Sequence, residues 1–106
     1  CGLPPVEGLE GTSLVPLMVD PTRRWKSAAF SQYPRPGNIM GYSMRTDRYR
    51  YNEWVDRATR EVKARELYDM TNDPECRVNL APNANQAALI AQLHTQLTAG
   101  WQAARP

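Results

Sequence analysis

Met40-Gly41-Tyr42-Ser43-Met44-Arg45-Thr46-Asp47-Arg48-Tyr49-Arg50-Tyr51-Asn52-Glu53-Trp54 is the stretch on which the fold turns. With Asp47-Arg48 as a two-residue turn, the flanking segments become two antiparallel strands. The pairs are then Thr46 with Tyr49, Met44 with Tyr51, Tyr42 with Glu53 and Met40 with Val55. Side chains alternate faces along a strand, so these pairs share one side of the sheet. That side is apolar (Met40, Tyr42, Met44, Tyr49, Tyr51, Val55) apart from Glu53, which is expected at its rim. The other side sets Arg45 against Arg50, Ser43 against Asn52 and Gly41 against Trp54. Asp-Arg is not the favoured Asn-Gly turn, and a slip of one residue would exchange the two faces.

Two guanidinium groups directly across a hairpin repel unless an anion lies between them. Glu66 and Asp69, on the next strand, are one source of that anion. A substrate group or an acidic residue of another domain is the other, because Arg suits bidentate recognition of planar anions.

Working outward, residues 28–33 form a first strand that ends at Pro34-Arg35-Pro36-Gly37. Strands over 39–46 and 49–56 follow, then a polar turn over 57–62 and a fourth strand over 64–70. Thr71-Asn72-Asp73-Pro74-Glu75 is a turn cluster without the alternating oxygen ligands of a calcium loop. Asn83 or Asn85 caps a last helix, in which Leu89, Leu93, Leu97 and Trp101 recur every four residues beside Ile90. His94, the only histidine, is expected as an exposed or flanking residue of that helix. Before the sheet, residues 1–27 form a proline-rich connector with one short helix near Ser13-Leu14-Val15-Pro16-Leu17-Met18, ended by Asp20-Pro21. The expected fold is α+β: a four-stranded antiparallel sheet with a C-terminal amphipathic helix packed on one face.

The totals agree with one modest domain. The chain has 106 residues, 13 basic against 11 acidic, and 42% hydrophobic content. So small a charge excess gives no case for nucleic acid as a partner. No apolar run approaches the ~20 residues of a membrane span, and no stretch reads as a signal peptide. The two cysteines, Cys1 and Cys76, support neither a disulfide framework nor a zinc site. The start on Cys1-Gly2-Leu3-Pro4-Pro5, without a methionine, leads us to expect a piece of a longer polypeptide.

The ordered strings Gly41-Tyr42-Ser43-Met44-Arg45-Thr46, Tyr49-Arg50-Tyr51, Trp54, Glu66-Leu67-Tyr68-Asp69, Asn72-Asp73-Pro74-Glu75 and Asn79-Leu80-Ala81 resemble the C-terminal subdomain of sulfatases. These are the formylglycine-dependent sulfuric ester hydrolases of the alkaline-phosphatase superfamily. Residues 5–17 resemble the segment that follows the last helix of the catalytic domain, so 1–27 is expected to be connector and 28–106 the subdomain. Residues 30–36 with Met40-Gly41-Tyr42-Ser43 look closest to the iduronate-2-sulfatase branch.

The resemblance implies a parent enzyme that uses formylglycine and calcium, is periplasmic, secreted or lysosomal, and acts on a sulfated sugar. The nucleophile's C/S-x-P-x-R motif is met by neither Cys1 nor Cys76, and no carboxylate cluster has the metal-site pattern, so this chain alone is expected to be inactive. The catalytic domain of the same polypeptide is its implied partner. The resemblance also implies that loops of this subdomain reach the rim of the substrate pocket. Arg35, stiffened between Pro34 and Pro36, is the first candidate, with Arg45 and Arg50 after it. Each could instead make a salt bridge to the catalytic domain. Trp25 and Trp54 read as interface or core aromatics, or as sugar-stacking platforms. A different class remains open: a free-standing binding module for sulfated or uronic polyanions, using the same three arginines.

Overall fold

The computed structural model describes residues 2–4 and 6–106. The readings placed on Cys1 and Pro5 lie outside those residues. Four strands, β1 (Ala29–Arg35), β2 (Ile39–Arg45), β3 (Tyr49–Asp56) and β4 (Val62–Asp69), form one antiparallel sheet in sequence order. A short helix α1 (Val15–Val19) precedes it, and a 3₁₀ turn (Ala84–Gln86) leads into α2 (Ala87–Ala103) after it.

The central hairpin has the register that side-chain alternation demands. Met40 faces Val55, Tyr42 faces Glu53, Met44 faces Tyr51 and Arg45 faces Arg50. Asp47-Arg48 turns without the positive φ angles of an Asn-Gly turn, because Thr46 closes the loop with its side chain. Thr46 N–H donates to the Tyr49 carbonyl at 2.9 Å, and Tyr49 N–H donates to Thr46 Oγ1 at 2.9 Å. The turn is also tied to β4. Arg48 Nη2 lies 2.7 Å from Asp69 Oδ2, its Nε donates to Asp69 Oδ1 at 3.2 Å, and Met70 N–H donates to the Arg48 carbonyl at 2.8 Å.

Two strand limits differ from expectation. β1 runs on through Pro34 and Arg35, pairing them with Met40 and Ile39. β1 is an edge strand, where a proline's missing N–H removes no necessary ladder bond. The turn is Pro36-Gly37-Asn38, with Gly37 at φ 76° and Asn38 at φ 62°, the two residue types that best tolerate that region. β4 starts at Val62, not at Ala64, since the polar turn is completed by Arg60 at φ 64°. Asp56 Oδ1 stabilises that turn, accepting from Ala58 N–H at 2.8 Å and Thr59 N–H at 3.1 Å.

Met44, Tyr51 and Leu67 have no exposed surface and form the centre of the core, with Leu93 of α2 above them. Leu89, Ile90 and Leu97 pack around that centre. Asn83 Oδ1 accepts from Asn85 N–H at 3.0 Å and starts the helical segment. Trp101 does not continue the apolar stripe. Gly100 takes φ 80° and ψ −178°, which ends the regular helix and leaves Trp101 36% exposed beneath the Arg105 guanidinium. The chain then folds back, and Ser27 N–H donates to the Ala104 carbonyl at 3.1 Å, burying Ala28 and Ala104.

Among the described residues nothing comparable covers α1, where Ser13 Oγ accepts from Val15 N–H and Asp20 follows the last turn. Leu14, Val15, Met18 and Val19 stay exposed, as do Leu3, Val6 and Leu9 before them. The radius of gyration, 16.4 Å, exceeds the ~13 Å of a compact chain of this length because of this arm.

Two outcomes follow. Leu93→Ala, beneath which the core cannot fully close, lowers unfolding free energy by about 2–5 kcal/mol. Trp101→Ala costs far less, and urea unfolding measures both. The Arg48 guanidinium, first, and then Asn72 and the Thr71 N–H hold the Asp69 carboxyl down at about 2, against an ordinary 3.8. On acidification the unfolded chain takes up that proton first. The contribution of Asp69 is therefore complete above the ordinary carboxyl value and fades as pH falls through about 2. Unfolding scans between pH 5 and pH 2 check this, and Asp69→Asn flattens the acid limb.

Candidate functional site

β-strand alternation gives the sheet one covered and one open face, and polar side chains gather on both. On the open face, Trp54 lies flat on Gly41. A Cβ added at Gly41 would stand 2.5 Å from Trp54 Cζ3, so only glycine permits this stacking. Trp54 Nε1 donates to Glu66 Oε1 at 3.1 Å, and Asn52 Nδ2 donates to Glu66 Oε2 at 2.7 Å. Both carboxylate oxygens of Glu66 are thereby engaged, while Asn52 Oδ1 is buried without a partner.

The Arg35 guanidinium sits 5.0 Å from the Trp54 ring centre and 5.3 Å from that of Tyr33. Each such contact contributes about 0.5–1 kcal/mol at an exposed site and holds the charge at the end of the sheet. Arg35 thus reaches the open face from β1 itself and not from a loop. Trp54, between Gly41 and Arg35, has a structural place, although Tyr33 beside it remains 63% exposed.

Arg45 and Arg50 stand opposite each other on the same face, as read from the sequence. The expected carboxylates do not join them. Asp69 pairs with Tyr49, which places it on the covered face, and it is held there by Arg48. Glu66 is held by Asn52 and Trp54. Arg45 donates instead to the Thr46 carbonyl, and Arg50 Nη1 contacts Cys76 Sγ at 3.6 Å. Among the described residues, Arg35, Arg45 and Arg50 make no salt bridge. Arg45, Arg50, Ser43, Asn52, Trp54 and Tyr33 line a shallow concavity of about 390 Å³. Arg35 stands beside it. Three fixed positive charges and hydroxyl and amide groups on one surface suit a carboxylate or sulfate.

The covered face holds a cluster that the sequence reading placed wrongly. Glu53 is 4% exposed and lies in the core layer, not at its rim. Burial of a carboxylate is tolerated because three donors converge on it. Tyr51 OH donates to Glu53 Oε1 at 2.6 Å, Arg65 Nε at 3.2 Å, and His94 Nδ1 lies 2.7 Å away. His94 is therefore a half-buried partner of the sheet, not a flanking residue. Burial, and then the hydrogen bond to Glu53, push the Tyr51 phenol well above its ordinary range. The available signal was a lone acid on an apolar strand face, which must find partners. Its distant partner, 41 residues on, had no local mark.

Among the described residues, no group of three or more His, Cys, Asp or Glu side chains is gathered so as to hold a metal ion. They do not fit a calcium site, and no residue here stands in the motif that yields formylglycine. No helix of the described residues is long and apolar enough to cross a membrane.

The chain is thus an antiparallel sheet with one helix-covered face and one arginine-bearing open face. The family profile for N-sulphoglucosamine sulphohydrolase, C-terminal, matches residues 1–103, and the chain belongs to that family. A solved structure, that of BT4656 in complex with its substrate D-glucosamine-2-N,6-O-disulfate, has the same fold. It matches 93% of this chain with a TM-score of 0.65 and 20% sequence identity. The present chain spans 22% of that one. No curated protein matches the sequence.

Gly41→Val drives a side chain into the Trp54 ring and costs about 1–3 kcal/mol in unfolding free energy. A red-shifted tryptophan emission in the folded state is the accompanying signature; an unchanged spectrum and midpoint would contradict the stacking.

Proposed function

We propose that this chain is the C-terminal subdomain of a sulfuric ester hydrolase acting on sulfated sugars. Its open sheet face and apolar arm meet the catalytic domain of the same polypeptide, and its arginines lie at the rim of the substrate pocket. Family membership supports the sulfatase class. The observation that carries the role of this surface is the absence of any carboxylate paired with Arg35, Arg45 or Arg50 among the described residues, although Glu66 and Asp69 lie on the adjacent strand. Exposed Leu14, Val15, Met18 and Val19 supply an apolar surface suited to burial against a larger partner.

The names of the relatives support a substrate class. The matched family is named for N-sulphoglucosamine, and the structural neighbour is in complex with its substrate D-glucosamine-2-N,6-O-disulfate; residues 30–36 with Met40-Gly41-Tyr42-Ser43 resemble the iduronate-2-sulfatase branch. All three name sulfated sugars, so an anionic sugar group is the ligand we assign to the arginine surface. On this reading the catalytic domain carries formylglycine and calcium, and the chain alone turns over no sulfate ester. The parent works in a periplasmic, secreted or lysosomal setting. The contribution of this chain is to bind and orient: Arg35 held on Trp54 is already placed, which lowers the entropy lost on meeting an anion.

In the full-length protein, Arg35→Ala lowers kcat/KM toward a sulfated monosaccharide by about tenfold or more, with folding unchanged. Unchanged kcat/KM and unchanged yield would remove Arg35 from the pocket; loss of yield alone would assign it to the domain contact. The free-standing polyanion module makes the opposite forecast. There the chain by itself would be retained on heparin, with affinity falling steeply as salt rises.

A further inference from the structure

The sheet has two edges, and the described residues close only one of them. The parity of the ladder fixes which groups each edge presents. Thr46 N–H donates to the Tyr49 carbonyl, so even-numbered residues of β2 bond towards β3 and odd-numbered ones towards β1. Through the pairs Ser31 with Ser43 and Tyr33 with Gly41, the odd-numbered residues of β1 bond to β2. Phe30 and Gln32 therefore turn their N–H and C=O outward, and Pro34, which has no N–H, falls on the same outward row.

The opposite edge shows how this chain closes a sheet. By the same parity Arg65 and Leu67 face outward on β4. Leu67 N–H donates to Asn79 Oδ1 at 3.0 Å, the Leu67 carbonyl accepts from Leu80 N–H at 2.8 Å, and the Arg65 carbonyl accepts from Asn79 Nδ2 at 3.3 Å. Among the described residues, no such segment lies along Phe30 and Gln32. Water satisfies exposed backbone groups but does not stop another strand from pairing with them. Native edges carry a charge, a bulge or a covering segment for that purpose. Ala29-Phe30-Ser31-Gln32-Tyr33 carries no charged residue and pairs with β2 without a bulge. Pro34 closes one end of this window, and the Ser27 bond to Ala104 closes the other.

The charges beyond those ends choose the occupant. Arg23, Arg24 and Lys26 precede the window and Arg35 follows it, each exposed and, among the described residues, without a salt bridge. A second copy laid antiparallel about Ser31 would bring Arg35 beside Lys26 of the other chain and press Pro34 on the end that Ala104 closes. Like charges across a strand pair are destabilising. A strand with acidic residues beyond both ends of an uncharged stretch meets neither objection. The window also lines the arginine concavity, so its occupant arrives with whatever covers the open face.

We propose that a strand from the catalytic domain of the same polypeptide pairs with β1 and adds a strand to the sheet, with acidic residues set against Lys26 and Arg35. Main-chain hydrogen bonds to Phe30 and Gln32 then hold the two domains together. This rests on the reading of the chain as a sulfatase subdomain and adds to it the β1 edge as the joint.

Residue-resolved amide exchange on the full-length protein tests it. Phe30 and Gln32 N–H exchange at least about a hundredfold more slowly than unpaired edge amides, close to the level of Ser31 and Tyr33. Gln32→Pro removes one outward N–H and leaves the β1–β2 ladder whole, because Gln32 gives no N–H to β2. It speeds exchange at Phe30 by about tenfold or more, with Ser31 and Tyr33 unchanged. Should that variant fail to fold, the rates in the unaltered protein decide alone. Fast exchange at both outward amides would overturn the proposal, as would protection lost on dilution, the mark of a second copy on the edge. Neither outcome touches the sulfatase reading, which hydrolysis of a sulfated monosaccharide by the same protein tests separately. Protection in a protein that cleaves none would keep the added strand and end that reading.

Discussion

Met44 and Tyr51 face each other across the central hairpin, both without exposed surface, and Leu93 closes over the same core. Everything else in the domain takes its side from that pair. Because the side-chain period of a strand is two, burying Met44 and Tyr51 forces Arg45 and Arg50 to the opposite face. It also forces Glu53, two residues beyond Tyr51, into the layer beneath the helix. A register slip would bury guanidinium groups and expose the core, a difference far larger than any turn preference. The imperfect Asp-Arg turn is therefore tolerated, with Thr46 and Asp69 completing the hydrogen bonds that turn chemistry alone leaves open.

The two faces then acquire different electrostatics. On the covered side the charges are neutralised locally: Glu53 gathers Arg65, Tyr51 and His94, and Asp69 gathers Arg48 and Asn72. On the open side Glu66 is occupied by Asn52 and Trp54, and Asp56 by the Ala58 and Thr59 amides, so among the described residues the positive charge is left uncompensated. Strand alternation explains the difference without any special feature of the arginines. The acids available to them are on the wrong face or already bonded.

Much of this was legible in sequence because it depends on local period. The hairpin register, the four strands in order and the apolar stripe of α2 all follow from spacings of two and four. What escaped depends on non-local or one-residue geometry. The Glu53–His94 contact joins residues 41 apart; Glu53 stood out on its apolar face, but nothing in its own segment pointed to His94. Gly100 ends the helical stripe through a single positive φ, so Trp101 leaves the core face despite its regular spacing. Pro34 is admitted to a strand only because β1 is an edge, a fact of sheet order and not of composition. Of the candidate site, the facing of Arg45 and Arg50 was readable. Their lack of a carboxylate was not, since Glu66 and Asp69 had to be placed first.

The hydrogen bond from Ser27 to Ala104 joins the chain just before the sheet to the chain just after the helix. Sheet and helix together thus form a loop clasped at its neck. Tension arriving along the arm loads this clasp, and the Arg105 to Glu10 contact beside it, before any rung of the β1–β2 ladder is strained. The same clasp buries Ala28 and Ala104, two members of the core, so the arm is anchored where the core itself closes.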